Sequence, residues 1–187
     1  MIAMAAGVDS GWRDRIANGI AAGFVLGLAW GLKDFYRRAS FDDLVWILRP
    51  TQQLVTWWTG ASFDLEAHHG YLSRDRLYEI VPPCAGVNFL IVVLCALSFA
   101  FVPVCRTVRG RFAAVALAAC AAYGVTVLAN ASRIAVAMGL HEAGAAAGWL
   151  TPSRLHCAEG VAVYFLFLCV TFAAGARVAG ARRELPI

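Results

Sequence analysis

Four stretches of the chain run with almost no polar interruption: Ile16 to Leu32, Val87 to Val104, Phe112 to about Leu128, and Ala158 to Ala174. Each is long enough to cross a hydrocarbon core of about 30 Å as a helix, the one open-ended form in which a span satisfies its own backbone. Between the first two lies a mixed stretch, Lys33 to Gly86. In its first part Leu44, Ile47, Leu48, Thr51, Val55 and Trp58 recur at helical spacing, with Asp42, Asp43, Arg49, Gln52, Gln53 and Thr56 between them. That pattern predicts an amphipathic helix lying in the membrane interface and bent at Pro50. In its second part, Ser62 to Val81, apolar and polar residues mix around Gly70, which predicts two short strands and a turn. The expected fold is an all-α integral membrane bundle of about four transmembrane helices, with an interfacial amphipathic helix and a small extracytoplasmic β-hairpin-like segment. It forms a single domain over residues 1–187, with spans at about 16–32, 87–104, 112–140 including an extension past the membrane, and 158–174, and an extracytoplasmic segment at 33–86.

Composition supports this reading. Hydrophobic residues make up 60% of the 187 positions and charged residues 15%, against roughly 25% charged in an ordinary globular chain. Too few charges remain to cover a water-facing surface, and too little length remains for a separate soluble enzyme. The net charge of +4 does not imply nucleic acid, because the basic residues punctuate the apolar runs. Arg106, Arg109 and Arg111 fill one break, and Arg177, Arg182 and Arg183 follow the last run, as the positive-inside bias requires of cytoplasmic ends. The second and fourth spans then run inward and the third outward. Lys33, Arg37 and Arg38 fall outside, against that bias; a fifth span over 44–58 would bring them inside but move Arg13 and Arg15 out. Four spans is the preferred reading. Arg13 and Arg15 precede the first apolar run as in a signal peptide, but Lys33 to Arg38 follows it in place of a small-residue cleavage site, so it reads as a retained span.

The six cysteines form no CxxC pair and no zinc-type spacing. Cys95, Cys105, Cys120 and Cys169 lie in or beside apolar runs and read as small buried hydrophobes. Cys84 and Cys157 lie outside them. From Arg111 to Arg133 a helix rises roughly 33 Å at about 1.5 Å per residue, and from Arg177 back to His156 roughly 32 Å. Both distances match one hydrocarbon thickness, so Arg133 and His156 sit at the outer level. Cys84, in the turn Pro82-Pro83-Cys84-Ala85-Gly86 before the second span, joins them there. Tyr123, Thr126, Asn130 and Arg133 make a polar stripe on an Ala-rich helix, as expected of a face turned into the bundle. A thiolate attacks a carbonyl, an imidazole moves protons, and a permanently charged guanidinium stabilises the resulting oxyanion. A helix N-terminus just after Cys84 favours its thiolate.

The segments Pro82-Pro83-Cys84-Ala85-Gly86-Val87-Asn88-Phe89, Asn130-Ala131-Ser132-Arg133-Ile134 and Leu155-His156, in this order and topology, resemble the exosortase/archaeosortase family of integral-membrane cysteine transpeptidases. The small size, and Trp46-Ile47-Leu48-Arg49-Pro50-Thr51 ahead of Thr59-Gly60, resemble the exosortase K subgroup. The resemblance covers roughly Leu44 to Ala174; its motifs are short, and their order and shared depth make the set specific. It implies a protease and transpeptidase of the bacterial cell (inner) membrane, its active site on the extracytoplasmic side. Such an enzyme cuts the carboxy-terminal sorting signal of exported proteins, a motif followed by a transmembrane span and a basic tail, and passes the new end to an acceptor. By the same resemblance Cys84 is the nucleophile and acyl-thioester site. Arg133 assists proton transfer or stabilises the oxyanion, and His156 is the third member, a general acid/base or transition-state stabiliser. Many bacterial exosortases have about twice as many spans, which leaves the substrate and its acceptor open.

Other readings remain. A membrane thiol-disulfide oxidoreductase would pair Cys84 with Cys157 at the outer face, though no CxxC motif exists to pass electrons onward. A non-catalytic scaffold would use the polar stripe only to hold helices together. There is no G-x-S-x-G, and His141-Glu142 lacks the second histidine of a zinc-binding HExxH. Asn130 is a supporting residue. Glu159, three residues after His156, is placed to orient its imidazole, while His141 competes for the imidazole role. His68 and His69 read as loop residues without a partner. A substrate ending in a membrane span enters laterally from lipid, and Trp57, Trp58, Tyr71, Tyr78 and Trp149 are expected to form an aromatic belt around that entry. Cysteine acyl transfer requires no cofactor and no metal.

Overall fold

The computed structural model describes residues 2–73, 78–144 and 151–184. The chain folds as α1 (Ile2–Arg38), α2 (Phe41–Thr59), β1 (Asp64–Glu66), β2 (Gly70–Ser73), β3 (Tyr78–Ile80), a 3-10 turn (Pro82–Ala85), α3 (Val87–Phe101), α4 (Val108–Glu142) and α5 (Pro152–Glu184). Among the described residues four segments are long and apolar enough to cross a membrane: Gly11–Arg38, Pro82–Val104, Val108–Glu142 and Arg154–Val178. The amphipathic helix α2 is not one of them.

The direction of each helix follows from its contacts at the two ends of the bundle. At one end of the bundle Arg111, in the first turn of α4, is buried and donates to Asp14 (2.7 Å) and Asn18 (3.0 Å) of α1. At the other end Lys33, near the end of α1, donates to Asn88 at the start of α3 (2.6 Å). Helix α3 therefore runs against α1, and α4 runs with it. Helix α5 runs with α3: Phe89 stacks on Tyr164 near one end, and Gly175 packs on Leu97 and Phe101 near the other. Much of α1 and α5 turns apolar side chains outward, including Phe24, Trp30, Phe165 and Leu166. Lipid is the solvent such a surface suits.

Helix α2 forms where the period predicts it. Ser40 caps it: its hydroxyl accepts from the Asp43 N–H, while the Asp43 carboxylate accepts the Ser40 N–H at 2.9 Å. Gly60 ends it at φ 70°, its N–H returned to the Thr56 carbonyl. The predicted apolar face is buried through Phe41, Leu44, Ile47, Leu48, Thr51 and Val55, and packs on α4. Pro50 lacks the N–H that would bond the Trp46 carbonyl four residues earlier. The hydroxyl of Tyr123 on α4 donates to that carbonyl instead (2.8 Å), with the two rings stacked 5.8 Å apart.

The segment after α2 holds three antiparallel strands in the order β1-β2-β3, where two were expected. Tyr71 pairs with Leu65 on one side and Ile80 on the other. Strand β2 buries Gly70, Tyr71 and Ser73, so it shows no clean alternation, and three-residue partners are too short to display one. Tyr71 is a core residue set edge-on to Phe41 at 5.5 Å. It pins the sheet to α2 and takes no part in an aromatic belt. His68 and His69, expected to stand alone, meet Asp42 (2.5 Å) and Glu79 (3.4 Å).

Candidate active site

Strand β3 ends at Ile80, and extended Val81 leads into Pro82-Pro83, whose fixed φ suits the first turn of a helix. The 3-10 turn that follows carries Cys84, half-buried and free, with its own N–H donated to the Val81 carbonyl at 2.7 Å. Cys84 thus sits in a separate turn ahead of α3. Gly86 closes this turn at φ 65° and opens α3. A side chain there meets two obstacles: the left-handed backbone, and the Asn130 amide, whose Nδ2 and Oδ1 lie 2.5 Å from where a Cβ would stand.

Asn130 of α4 is completely buried, and the Tyr164 hydroxyl of α5 donates to its Oδ1 in a short hydrogen bond. The Tyr164 ring does two further things. It stacks on Phe89 at 4.7 Å, and it faces the Arg133 guanidinium, 5.8 Å from the ring centroid, within the range of a cation–π contact. Arg133 also lies over Gly160, where a Cβ would approach its Cδ at 3.4 Å. One tyrosine therefore ties the helix after Cys84 to the Asn130 and Arg133 turn of α4.

On α5, His156 is exposed and Glu159 buried, with Nδ1 and Oε1 at 3.2 Å. The contact is close in distance but lacks hydrogen-bond geometry, and both Glu159 oxygens remain without a hydrogen-bond partner. Arg133 Nε and Asn130 Nδ2 are buried and unpartnered too. The charge of Arg133 reaches His156, Glu159, Tyr164 and Tyr78. Tyr78, outside the spanning segments, has its phenol pushed above the ordinary range by burial first, then by Glu159, with Cys84 adding and Arg133 opposing. Thus Tyr78 and Tyr164 both sense Cys84, Arg133 and Glu159.

The structure gathers Cys84, Asn130, Arg133, His156 and Glu159 at the end of the bundle that holds Lys33 and Asn88. Among the described residues no hydrogen bond or ion pair joins Cys84 to Arg133 or His156. The polar stripe on α4 divides: Asn130 and Arg133 belong to the site, whereas Tyr123 serves the Trp46 carbonyl and Thr126 is buried with an unpartnered hydroxyl. His141 lies exposed two turns beyond Arg133 near the end of α4. Cys157 is exposed and free. Trp57 and Trp58 are exposed as a belt would require, and Trp149 lies outside the described residues. Tyr164 escaped sequence reasoning, although its signal was present: His156, Gly160 and Tyr164 follow one another at four-residue intervals on a single helix face. Tyr36, whose hydroxyl donates weakly to the Pro82 carbonyl (3.4 Å), carried no such signal.

No family model, no curated protein and no solved structure matches the chain.

Proposed function

We propose that this chain is a membrane-embedded cysteine peptidase and transpeptidase of the exosortase kind, acting on the carboxy-terminal sorting signal of exported proteins. The observation that carries the reading is that one end of the bundle holds Cys84 in the turn before α3, Arg133 of α4 over the Tyr164 ring, and His156 of α5 beside Glu159. His156 takes the proton from Cys84, and the Cys84 sulfur forms a bond to the scissile carbonyl carbon. The carbonyl electron pair moves onto oxygen, where Arg133 stabilises the charge. Collapse breaks the C–N bond, and the departing amine takes the proton back from His156. The acyl group stays on Cys84 as a thioester until an amine or water releases it. The site lies at the membrane surface facing out of the cytoplasm, and the substrate's own span enters from lipid.

Co-expression with exported proteins that end in a motif, a span and a basic tail tests this reading. Processing that Cys84→Ala abolishes supports it, whereas full processing by Cys84→Ala contradicts it. Cys157→Ser separates it from thiol-disulfide exchange: a transpeptidase retains processing.

A further inference from the structure

We infer that Asn130 is a catalytic residue, its Nδ2 donating to the oxyanion formed when Cys84 is acylated, with Tyr164 as the positioning residue that fixes the amide. The inference rests on the acyl-transfer reading above. An oxyanion beside a nucleophile is commonly received by backbone and side-chain N–H groups aimed at it in advance. The nucleophile's own N–H is not free to do so here, because it is committed to the Val81 carbonyl at 2.7 Å. Asn130 supplies a replacement. Its side chain is fully buried, and Nδ2 has no hydrogen-bond partner, a costly state for a buried donor unless something else occupies it.

Two contacts hold that amide in place. The Tyr164 hydroxyl holds Oδ1, so the two ends of the amide are distinguished. The amide lies against Gly86, two residues from Cys84, at a distance that only a residue without a Cβ allows. Arg133 Nε, one turn further along α4, is likewise buried and unpartnered. Two unpartnered donors thus lie one turn apart on one helix face, and the amide that carries the first is packed against the residue two positions after Cys84.

Two small reagents separate this role from a structural one, with no need for the natural substrate. Iodoacetamide alkylates Cys84 without forming an oxyanion. With 4-nitrophenyl acetate, the sulfur–carbonyl bond forms through an oxyanion, the ester C–O bond breaks, and 4-nitrophenolate leaves. Both rates are measured on the full-length protein in detergent, with Cys84→Ala giving the contribution of the other cysteines. For Asn130→Leu, acylation should fall at least tenfold, toward the roughly hundredfold or greater loss seen when one oxyanion donor is removed, while alkylation stays within about twofold of wild type. Equal acylation by Asn130→Leu and wild type overturns the inference. If Asn130→Leu loses alkylation as well, Tyr164→Phe decides: slower acylation at unchanged alkylation supports the assignment, and unchanged acylation overturns it. Wild-type protein that is alkylated at Cys84 but not acylated there overturns the acyl-transfer reading itself.

Discussion

Gly86 shows how tightly the candidate site is drawn. Its φ of 65° lies where an L side chain strains, and the Asn130 amide fills the space a side chain would need. Gly86→Ala should cost at least about 1 kcal/mol from the backbone alone and displace Asn130 or Cys84. The expected outcome is a lower melting temperature in detergent and a changed rate of Cys84 alkylation; an unchanged protein would mean that the contact is not tight. Tyr78 supplies a pH test. Its folded pKa is raised, chiefly by burial and next by Glu159, so the folded state holds its proton more firmly than the unfolded chain does. The stability contributed by neutral Tyr78 is complete below the ordinary phenol pKa near 10. It is lost as pH rises from there through the folded value. Tyr78→Phe should flatten this alkaline loss in a series of melting curves, and an identical alkaline limb would remove Tyr78 from the buried cluster. The sequence marked Cys84, Asn130, Arg133, His156 and Glu159 because each stands out chemically on an apolar background. It did not mark Tyr164, because an aromatic in a spanning helix resembles ordinary lipid-facing or core packing until its neighbours are known.

At the scale of elements, α2 and α4 share a dependence that neither sequence segment reveals alone. Pro50 frees the Trp46 carbonyl, and Tyr123 takes it up. Tyr123→Phe should then destabilise the chain by about 0.5 to 1.5 kcal/mol, the net worth of one ordinary hydrogen bond at an exposed position. In a Pro50→Ala background the N–H at position 50 is restored, and the same substitution should cost much less. Melting temperatures of the two single variants and the double variant measure this coupling; strict additivity would show that the hydroxyl does not serve that carbonyl. The helical elements were legible because periods and apolar runs extend over many residues: α2 and the four spanning segments contain the predicted runs, while α1 and α5 extend well beyond them at both ends. The sheet was half legible. Its strands are three or four residues long, and β2 buries neighbouring positions, so pairing rather than pattern defines it.

For the whole molecule, the sparse charged and polar groups act as depth marks. Arg111 ties to Asp14 and Asn18 at one end, and Lys33 ties to Asn88 at the other, so four alternating helices carry the candidate site to the second end. By the positive-inside reading that end faces away from the cytoplasm. A membrane-impermeant maleimide should therefore label Cys84 in intact spheroplasts, and should reach Cys105, at the opposite end between α3 and α4, only after permeabilisation. The reverse pattern would invert the topology. The substrate was not legible at any scale, because nothing in this chain's own residues specifies the segment that would dock on it.

The central claim is that Cys84 holds an acyl group from a cleaved exported protein. Neutral hydroxylamine, added to membranes that contain this chain and a co-expressed tailed substrate, tests it directly by replacing the natural acceptor. The account predicts a shortened substrate bearing a hydroxamate at its new carboxyl end, identified by mass spectrometry in wild type and absent with Cys84→Ala. A substrate cleaved without hydroxamate in wild type, or one bearing it with Cys84→Ala, would contradict the thioester.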